Sequence, residues 1–323
     1  MNIKLFYSAA LLGAVLCVTT FTSALATEGG GSHYMAGSRG DFGMALVGPA
    51  GWYLRNDLSY STGDINAVVI GNNVYAGATQ DVWVDNIKGI YLAESGLWGG
   101  RFGAVLSVPV VLNASLSADL ISPSIETDGS KTGLADMNLT AFNNWKVGNF
   151  HYNGGLTLYA PTGSYDSDRL INLGRNYWTF DFTFASTWLD PNRGHEVSYT
   201  LGYMINTENN DTDYQSGDEV HFDLHVAQHF SPSLAVGIDG YYYKQVTDDE
   251  GPLLDYANML LPSIGAKPLG GNRAEAYGLG PAIKYTTKVG NRDITLIAKW
   301  LHDLDTTHRF ESDMVIFSVA FKL

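Results

Sequence analysis

Thiols, charge and long apolar runs are all scarce in this sequence, and each scarcity excludes something. Among 323 residues there is one cysteine, Cys17, and only 16% of the residues are charged. Cys17 falls inside a segment that reads as an export signal, so the exported chain carries no thiol. That excludes a thiolate metal site and a cysteine nucleophile, and it suits a route through an oxidising compartment. Beyond this segment no apolar run approaches the ~20 residues of a membrane-spanning helix. Basic residues are also few, 19 Lys and Arg against 33 Asp and Glu. This balance argues against nucleic acid and against a basic membrane-surface patch.

The export reading rests on the first 26 positions. Lys4 is the only charge there, an apolar run covers 5–21, and Ala24-Leu25-Ala26 puts small residues at −3 and −1, so cleavage is expected before Thr27. An uncleaved anchor is the alternative, but Thr19, Thr20, Thr22 and Ser23 interrupt the run early. Leu16 stands where a lipoprotein signal needs a small residue. The expected organisation is a signal over 1–26, a glycine-rich segment over 27–50 and a barrel over 51–323.

Glycine and aromatics are abundant: 36 Gly, 19 Tyr, 14 Phe and 7 Trp. A sheet so rich in aromatics must hide them, and in lipid only helices and closed barrels satisfy all their backbone groups. Period-2 alternation supports the barrel. Over 177–188, Trp178, Phe180, Phe182, Phe184 and Trp188 share one face, while Tyr177, Thr179, Asp181, Thr183 and Thr187 share the other. Similar segments begin near Trp52, Val82, Phe102, Met137, Phe150, Val197, Val220, Leu234, Tyr277 and Ile294. Val315, Phe317, Val319, Phe321 and Leu323 end the chain in the pattern read by barrel-assembly machinery. About twelve strands result, an even number as bacterial single-chain barrels require. The fold expected is therefore an all-β, transmembrane, antiparallel up-and-down barrel in the outer membrane of a Gram-negative bacterium. Short periplasmic turns are placed at 147–149, 190–194, 231–233 and 288–291. Long outward loops are placed at 61–80, 113–133, 163–176, 207–217, 248–272 and 304–312.

Two segments leave alternatives open. The glycine-rich 27–50 is either a tail or a plug folded into the lumen. The apolar cluster within 248–272 is either a loop helix over the pore mouth or an adhesive surface.

The chain also resembles the phenol meta-pathway degradation proteins of Gram-negative bacteria. The resemblance rests on Glu28, Gly29, Gly31, His33 and Tyr34, then Pro49, Gly51 and Tyr53. Its most specific part is Pro161-Thr162-Gly163-Ser164-Tyr165 followed by Asn172, Gly174, Asn176 and Trp178. Ser216-Gly217-Asp218, Gly240-Tyr241-Tyr242-Tyr243, Thr247-Asp248-Asp249 and Gly280-Pro281 complete it. The resemblance implies a barrel and uptake of small, often aromatic, molecules.

Candidate lumen residues follow from the polar face. His221, His225 and His229 share it with Glu219 and Asp223. Residues four apart on a strand are separated by about 13 Å, too far to share one metal ion. They read as a polar row, with a possible pH response. Arg55, Asp57, Asp136, Asp181, Asp239 and Lys284 project to the same side, with Arg55 and Lys284 as partners for the acids. Where such acids line a conduit, their excess disfavours anions. Tyr53, Tyr159, Tyr177, Tyr241 and Tyr243 offer stacking to an aromatic solute or fill the interior. Pro161, Gly163, Tyr165, Asn172, Gly174 and Asn176 shape a loop, which could also constrict the pore. No nucleophile elbow, H-E-x-x-H or Ser-His-acid spacing is present, so no catalytic residue, metal or cofactor is expected. The expected function is passive uptake of small hydrophobic or aromatic compounds. A barrel hydrolase and a non-conducting structural or adhesive barrel are the rivals.

Overall fold

The computed structural model describes residues 31–70, 73–120 and 126–323. The expected signal and its cleavage point lie outside these residues. Fourteen strands follow in order: β1 (Gly51–Ile65), β2 (Val68–Ile70), β3 (Asn73–Leu92), β4 (Arg101–Leu120), β5 (Glu126–Leu134), β6 (Asn138–Val147), β7 (Phe150–Tyr159), β8 (Thr179–Leu189), β9 (His195–Asn206), β10 (Glu219–His229), β11 (Leu234–Gln245), β12 (Glu275–Val289), β13 (Arg292–Thr307) and β14 (Glu311–Lys322). Every pairing is antiparallel, and β1 pairs with β14 from Tyr53↔Lys322 to Asp64↔Glu311, which closes a 12-strand barrel. Closure leaves no open edge in the lipid.

The two extra strands are rim pieces. β2 pairs only with β3, above the end of β1. β5 pairs with the upper part of β4, whose lower part pairs with β6. Pro109 stands at that change of partner; it has no N–H to donate, and its carbonyl accepts Ala135 N–H at 3.0 Å.

Three expected loops are therefore largely strand. Much of 61–80 and 113–133 belongs to β1, β2, β3, β4 and β5, and only 308–310 separates β13 from β14. Their sequences, such as Ser61-Thr62-Gly63-Asp64, alternate without an apolar face. Strands that rise past the membrane need no lipid-facing residue, so the pattern that marks a spanning strand is missing there.

The outer surface is apolar where the alternation placed it. Phe180, Phe182 and Phe184 are exposed on β8, while Thr179, Asp181 and Thr187 are buried inside. Aromatic pairs mark two levels on one strand: Trp52 meets Tyr91 at 4.9 Å between ring centroids, and Tyr60 meets Trp83 at 4.7 Å. Eight residues separate these levels, about 26 Å of strand, which suits a tilted crossing of the apolar band. The last strand stays in register to its end, with Leu323 N–H bonded to Trp52 O at 2.9 Å.

Over the outer mouth, the β11–β12 connection folds as a helix, α1 (Pro252–Leu260), continued by a 3-10 turn over Leu261–Ile264. Leu254, Ala257 and Leu261 bury their side chains with Val69, Val74 and Tyr214. Val69 belongs to β2, and β3, β1, β14, β13 and β12 lie between it and β11, the strand that leads into the helix, in the sheet order. The helix thus reaches over the mouth to another part of the wall, while Tyr256 and Met259 stay exposed on its opposite side.

Candidate functional site: the barrel lumen

Residues 31–50 run through the barrel, tied most densely to β8–β10 and also held by Arg55 of β1, Arg101 of β4, Asn144 of β6 and Lys299 of β13. Tyr34 donates its hydroxyl to both oxygens of Asp223 at 2.8 Å and stacks on His221 with centroids 4.1 Å apart. Arg39 pairs with Asp181, which is fully buried. His33 contacts Thr179 Oγ1 at 2.7 Å and Asp136 at 3.0 Å. Lower down, Ala45 N–H donates to Thr187 Oγ1 at 3.0 Å, and Asp41 accepts from Arg55 at 2.6 Å. Lys299 Nζ caps the carbonyls of Gly37 and Gly40. A segment of small residues with few apolar side chains cannot fold alone, so these polar ties fix it.

The histidine row is taken up by separate acids. His221 meets Asp181 at 3.1 Å, His225 meets Asp239 at 2.6 Å, and His229 meets Glu196 at 2.6 Å. Gly202, paired opposite His221, leaves the space its imidazole fills, since an added Cβ would lie 1.9 Å from Nε2. Among the described residues no group of three metal-ligating side chains is brought together.

The lumen tyrosines pack against neighbours inside the barrel. Tyr159 is covered by the His33 ring at 5.0 Å, and Tyr177 receives the same ring edge-on at 5.2 Å. Tyr243 lies under Tyr34 and under the Arg309 guanidinium, 4.5 Å from its ring. Tyr241 is buried against Gly37 and Gly278. Tyr53 is at the lower end of β1, bonded to Pro49 O at 2.6 Å. The glycine-rich segment already occupies faces that a solute would need. Arg55 does pair with acids, Asp41 and Asp57, whereas Lys284 sits 5.0 Å over the Phe42 ring.

The Pro161-to-Trp178 motif makes a folded-in loop. Gly163 and Gly174 touch backbone to backbone, since a Cβ on either would lie under 3.0 Å from the other. Asp136 accepts Gly163 N–H at 2.8 Å and Arg175 N–H at 2.7 Å. Asn172 closes its own turn through Asp166, and Asn176, at φ +61°, donates to Asn209. Tyr165 accepts from Asn209 as well.

Space remains along the opposite wall, in three cavities that share walls and a fourth of about 380 Å³ at the β3–β5 rim, bordered by Asp81 and Asp128. The upper one, about 290 Å³, lies between this loop and β3–β4 and includes Val82, Val111, Leu116, Leu173 and Phe310. The middle one, about 360 Å³, shares Gln80, Leu173, Arg175 and Phe310 with it. The lower one, about 480 Å³, shares His33, Met35, Val84, Asn86, Asn138 and Tyr159 with the middle one. Shared walls put the three in series from the outer mouth toward the periplasmic end.

The reading from sequence missed most residues of this arrangement. His33 and Tyr34 entered only through the family resemblance, and Arg39, Lys88, Arg175, Lys299 and Arg309 were not singled out. Aromatic and charged residues inside a glycine-rich segment were the available signal, because each needs a partner.

Thr179, His33 and Asp136 form the arrangement nearest to a hydrolytic triad. The Thr179 hydroxyl is fully buried and also bonded to Asn206 at 2.6 Å. It presents no nucleophile to a cavity.

A closed barrel with an apolar outer band and a polar, partly filled interior is a transmembrane β-barrel of the outer membrane. The chain belongs to the family described as "Putative MetA-pathway of phenol degradation", which it matches over residues 56–319. Among solved structures it is similar to the COG4313 outer membrane channel from Pseudomonas putida F1, at 13% identity and a TM-score of 0.66, covering 87% of this chain and 98% of that one. It is also similar to the transport unit of the autotransporter AIDA-I from Escherichia coli, at 10% identity and a TM-score of 0.47, covering 89% and 94%. At such identities the likeness concerns the fold. No curated protein matches the chain.

Proposed function

We propose that this barrel is a passive conduit for small hydrophobic or aromatic compounds, with residues 31–50 as a plug that narrows the lumen. The observation that carries the reading is the series of three cavities beside the plug, sharing walls from the mouth downward. The upper cavity has an apolar side made by Val82, Val111, Leu116, Ile171 and Phe310, and about 150 Å³ of apolar cavity holds a benzene ring. At about 290 Å³ it accommodates one substituted ring. The lower cavity adds Arg39, Arg55, Lys88 and Lys299 to its lining, so a solute would move from the apolar side of the upper cavity toward a more charged lower one. The loop over 163–176, folded against Asp136, forms one wall and would set the width.

The test is solute flux into liposomes holding the refolded chain, with a small aromatic alcohol and glucose compared over empty vesicles. Faster aromatic flux than glucose flux supports the proposal. Equal rates for both would remove the aromatic preference, and no flux above empty vesicles with the barrel folded would remove the conduit.

A further inference from the structure

Charge is divided inside this barrel in a way that the whole-chain balance conceals. Asp181, Glu196, Glu219, Asp223 and Asp239 are at most 1% exposed, and none of them lines the three cavities. Each is consumed by a partner: Arg39 for Asp181, His229 for Glu196, Tyr243 for Glu219, Tyr34 for Asp223 and His225 for Asp239. The cavity walls carry the opposite sign. Apart from Arg39, which Asp181 neutralises, Arg55, Lys88, Arg175, Lys299 and Arg309 line them, against the carboxylates of Asp41, Asp57, Asp136 and Asp303. A permeant meets the wall and not the total, so the acidic excess of the whole chain does not by itself set the sign it meets.

A second observation points the same way. Arg309 Nη1, in the middle cavity's lining residue, is buried without a hydrogen-bond acceptor, and so is Lys131 Nζ. Lys131 stands on β5 between Gly129 and Gly133, which face Ile171 and Leu173 of the loop bordering the upper cavity. Buried donors of positive charge are costly unless an acceptor arrives. Apolar walls lie beside them, from Val111, Leu116, Ile171 and Phe310.

We infer that the conduit selects small amphipathic anions, an aromatic or aliphatic body carrying one carboxylate or similar acid group, which the upper cavity holds by its apolar part while the cationic groups below draw the anion inward. This deepens the conduit reading and rests on it. It names the substrate by chemistry alone: ring for the apolar wall, negative charge for the guanidinium groups.

Planar-bilayer recording with the full exported chain tests it. Under a KCl gradient the reversal potential is expected on the chloride side. Benzoate is expected to reduce the current at several-fold lower concentration than acetate, which lacks the ring, or benzylammonium, which carries the opposite charge. Arg309→Gln and Arg175→Gln should each move the reversal potential toward the potassium side, with Arg309→Lys retaining chloride preference. A potassium-side reversal in the native chain, or stronger block by benzylammonium, would overturn the inference and leave a conduit of another selectivity. Equal block by acetate and benzoate would overturn the amphipathic class. Absence of both current and neutral aromatic flux would overturn the conduit reading itself, and this inference with it.

Discussion

The two sides of the lumen teach different things. Along β8–β11 the inward side chains are almost entirely buried, and acids, histidines and tyrosines there bond to residues 31–50 or to one another. Along β1, β3, β4 and β6 the inward side chains are mostly half-exposed and face the cavities. The first wall carries most of the bonds to the chain's own segment, although Arg55, Asn144 and Lys299 hold it too, and the second borders most of the space. Stability should therefore be concentrated on the first side and permeation on the second.

Removing the segment is the strongest way to break that division. A chain lacking residues 31–46 should show a several-fold larger conductance and a lower unfolding midpoint, because Asp181 loses Arg39 and Asp223 loses Tyr34 while the lumen widens. Unchanged conductance in bilayers would mean that the segment does not restrict the path. Arg39→Ala is the narrower version. Its partner Asp181 is fully buried and would keep only His221, so the expected loss is about 3–5 kcal/mol in urea unfolding from detergent or lipid. A loss under ~1 kcal/mol would show that the pair contributes little.

The division was half legible in the sequence. Alternation over 177–188 gives the lipid face and the lumen face correctly because a spanning strand must alternate, whatever fills its interior. It cannot say what fills the interior. Tyr243 and Asp223 read as pore lining because nothing local tells a side chain facing water from one facing Tyr34, more than 180 residues away in the chain. Strand continuation over 61–80 was likewise invisible, since a rim strand above the membrane has no apolar face to mark it. The loop motif of Gly163 and Gly174 was read as conformational from its residue types, and the two glycines do meet. That Asp136 and Arg175 take part could not be read, because Asp136 comes from a different connection.

A third prediction concerns the mouth, where the same contrast recurs between a buried node and the exposed helix beside it. Asp249 accepts bonds from Tyr214, Gly217, Gln245 and Asn272 at 2.5–2.7 Å, drawing the β9–β10 and β11–β12 connections together. Where the ionised carboxylate accepts from all four, above about pH 8, Asp249→Asn puts a donor among donors and should loosen this node by about 1–3 kcal/mol, read as faster proteolysis within 252–270. Burial pushes the Asp249 carboxyl up to about 8. In an opened, solvated loop it would titrate near its ordinary value, about 3.9. Between these values the packed loop holds a proton that the opened loop releases, so packing weakens as pH rises from about 4 to 8 and levels off above. Protection of 252–270 should fall over that window in the native chain and stay flat in Asp249→Asn. A rise in protection with pH would reverse the assigned sign.

The smallest expected change in stability sharpens the comparison most. Lys88 reaches Asp57 at 2.6 Å on the cavity side, but Asp57 also holds Arg55 at 2.6 Å, and both cations retain partial access to solvent. Lys88→Met thus leaves its carboxylate paired, and its cost in unfolding should stay below ~1 kcal/mol. Its effect on permeation should nonetheless be measurable, because it removes a charge from the lower cavity and leaves Asp57 nearer to neutralised by one cation than by two. The reversal potential should move toward the potassium side while the unfolding midpoint hardly shifts, the inverse of Arg39→Ala. If Lys88→Met instead destabilises the barrel as much as Arg39→Ala and leaves selectivity alone, the two walls do not divide stability from permeation. The cavity side would then be as structural as the side that holds the plug.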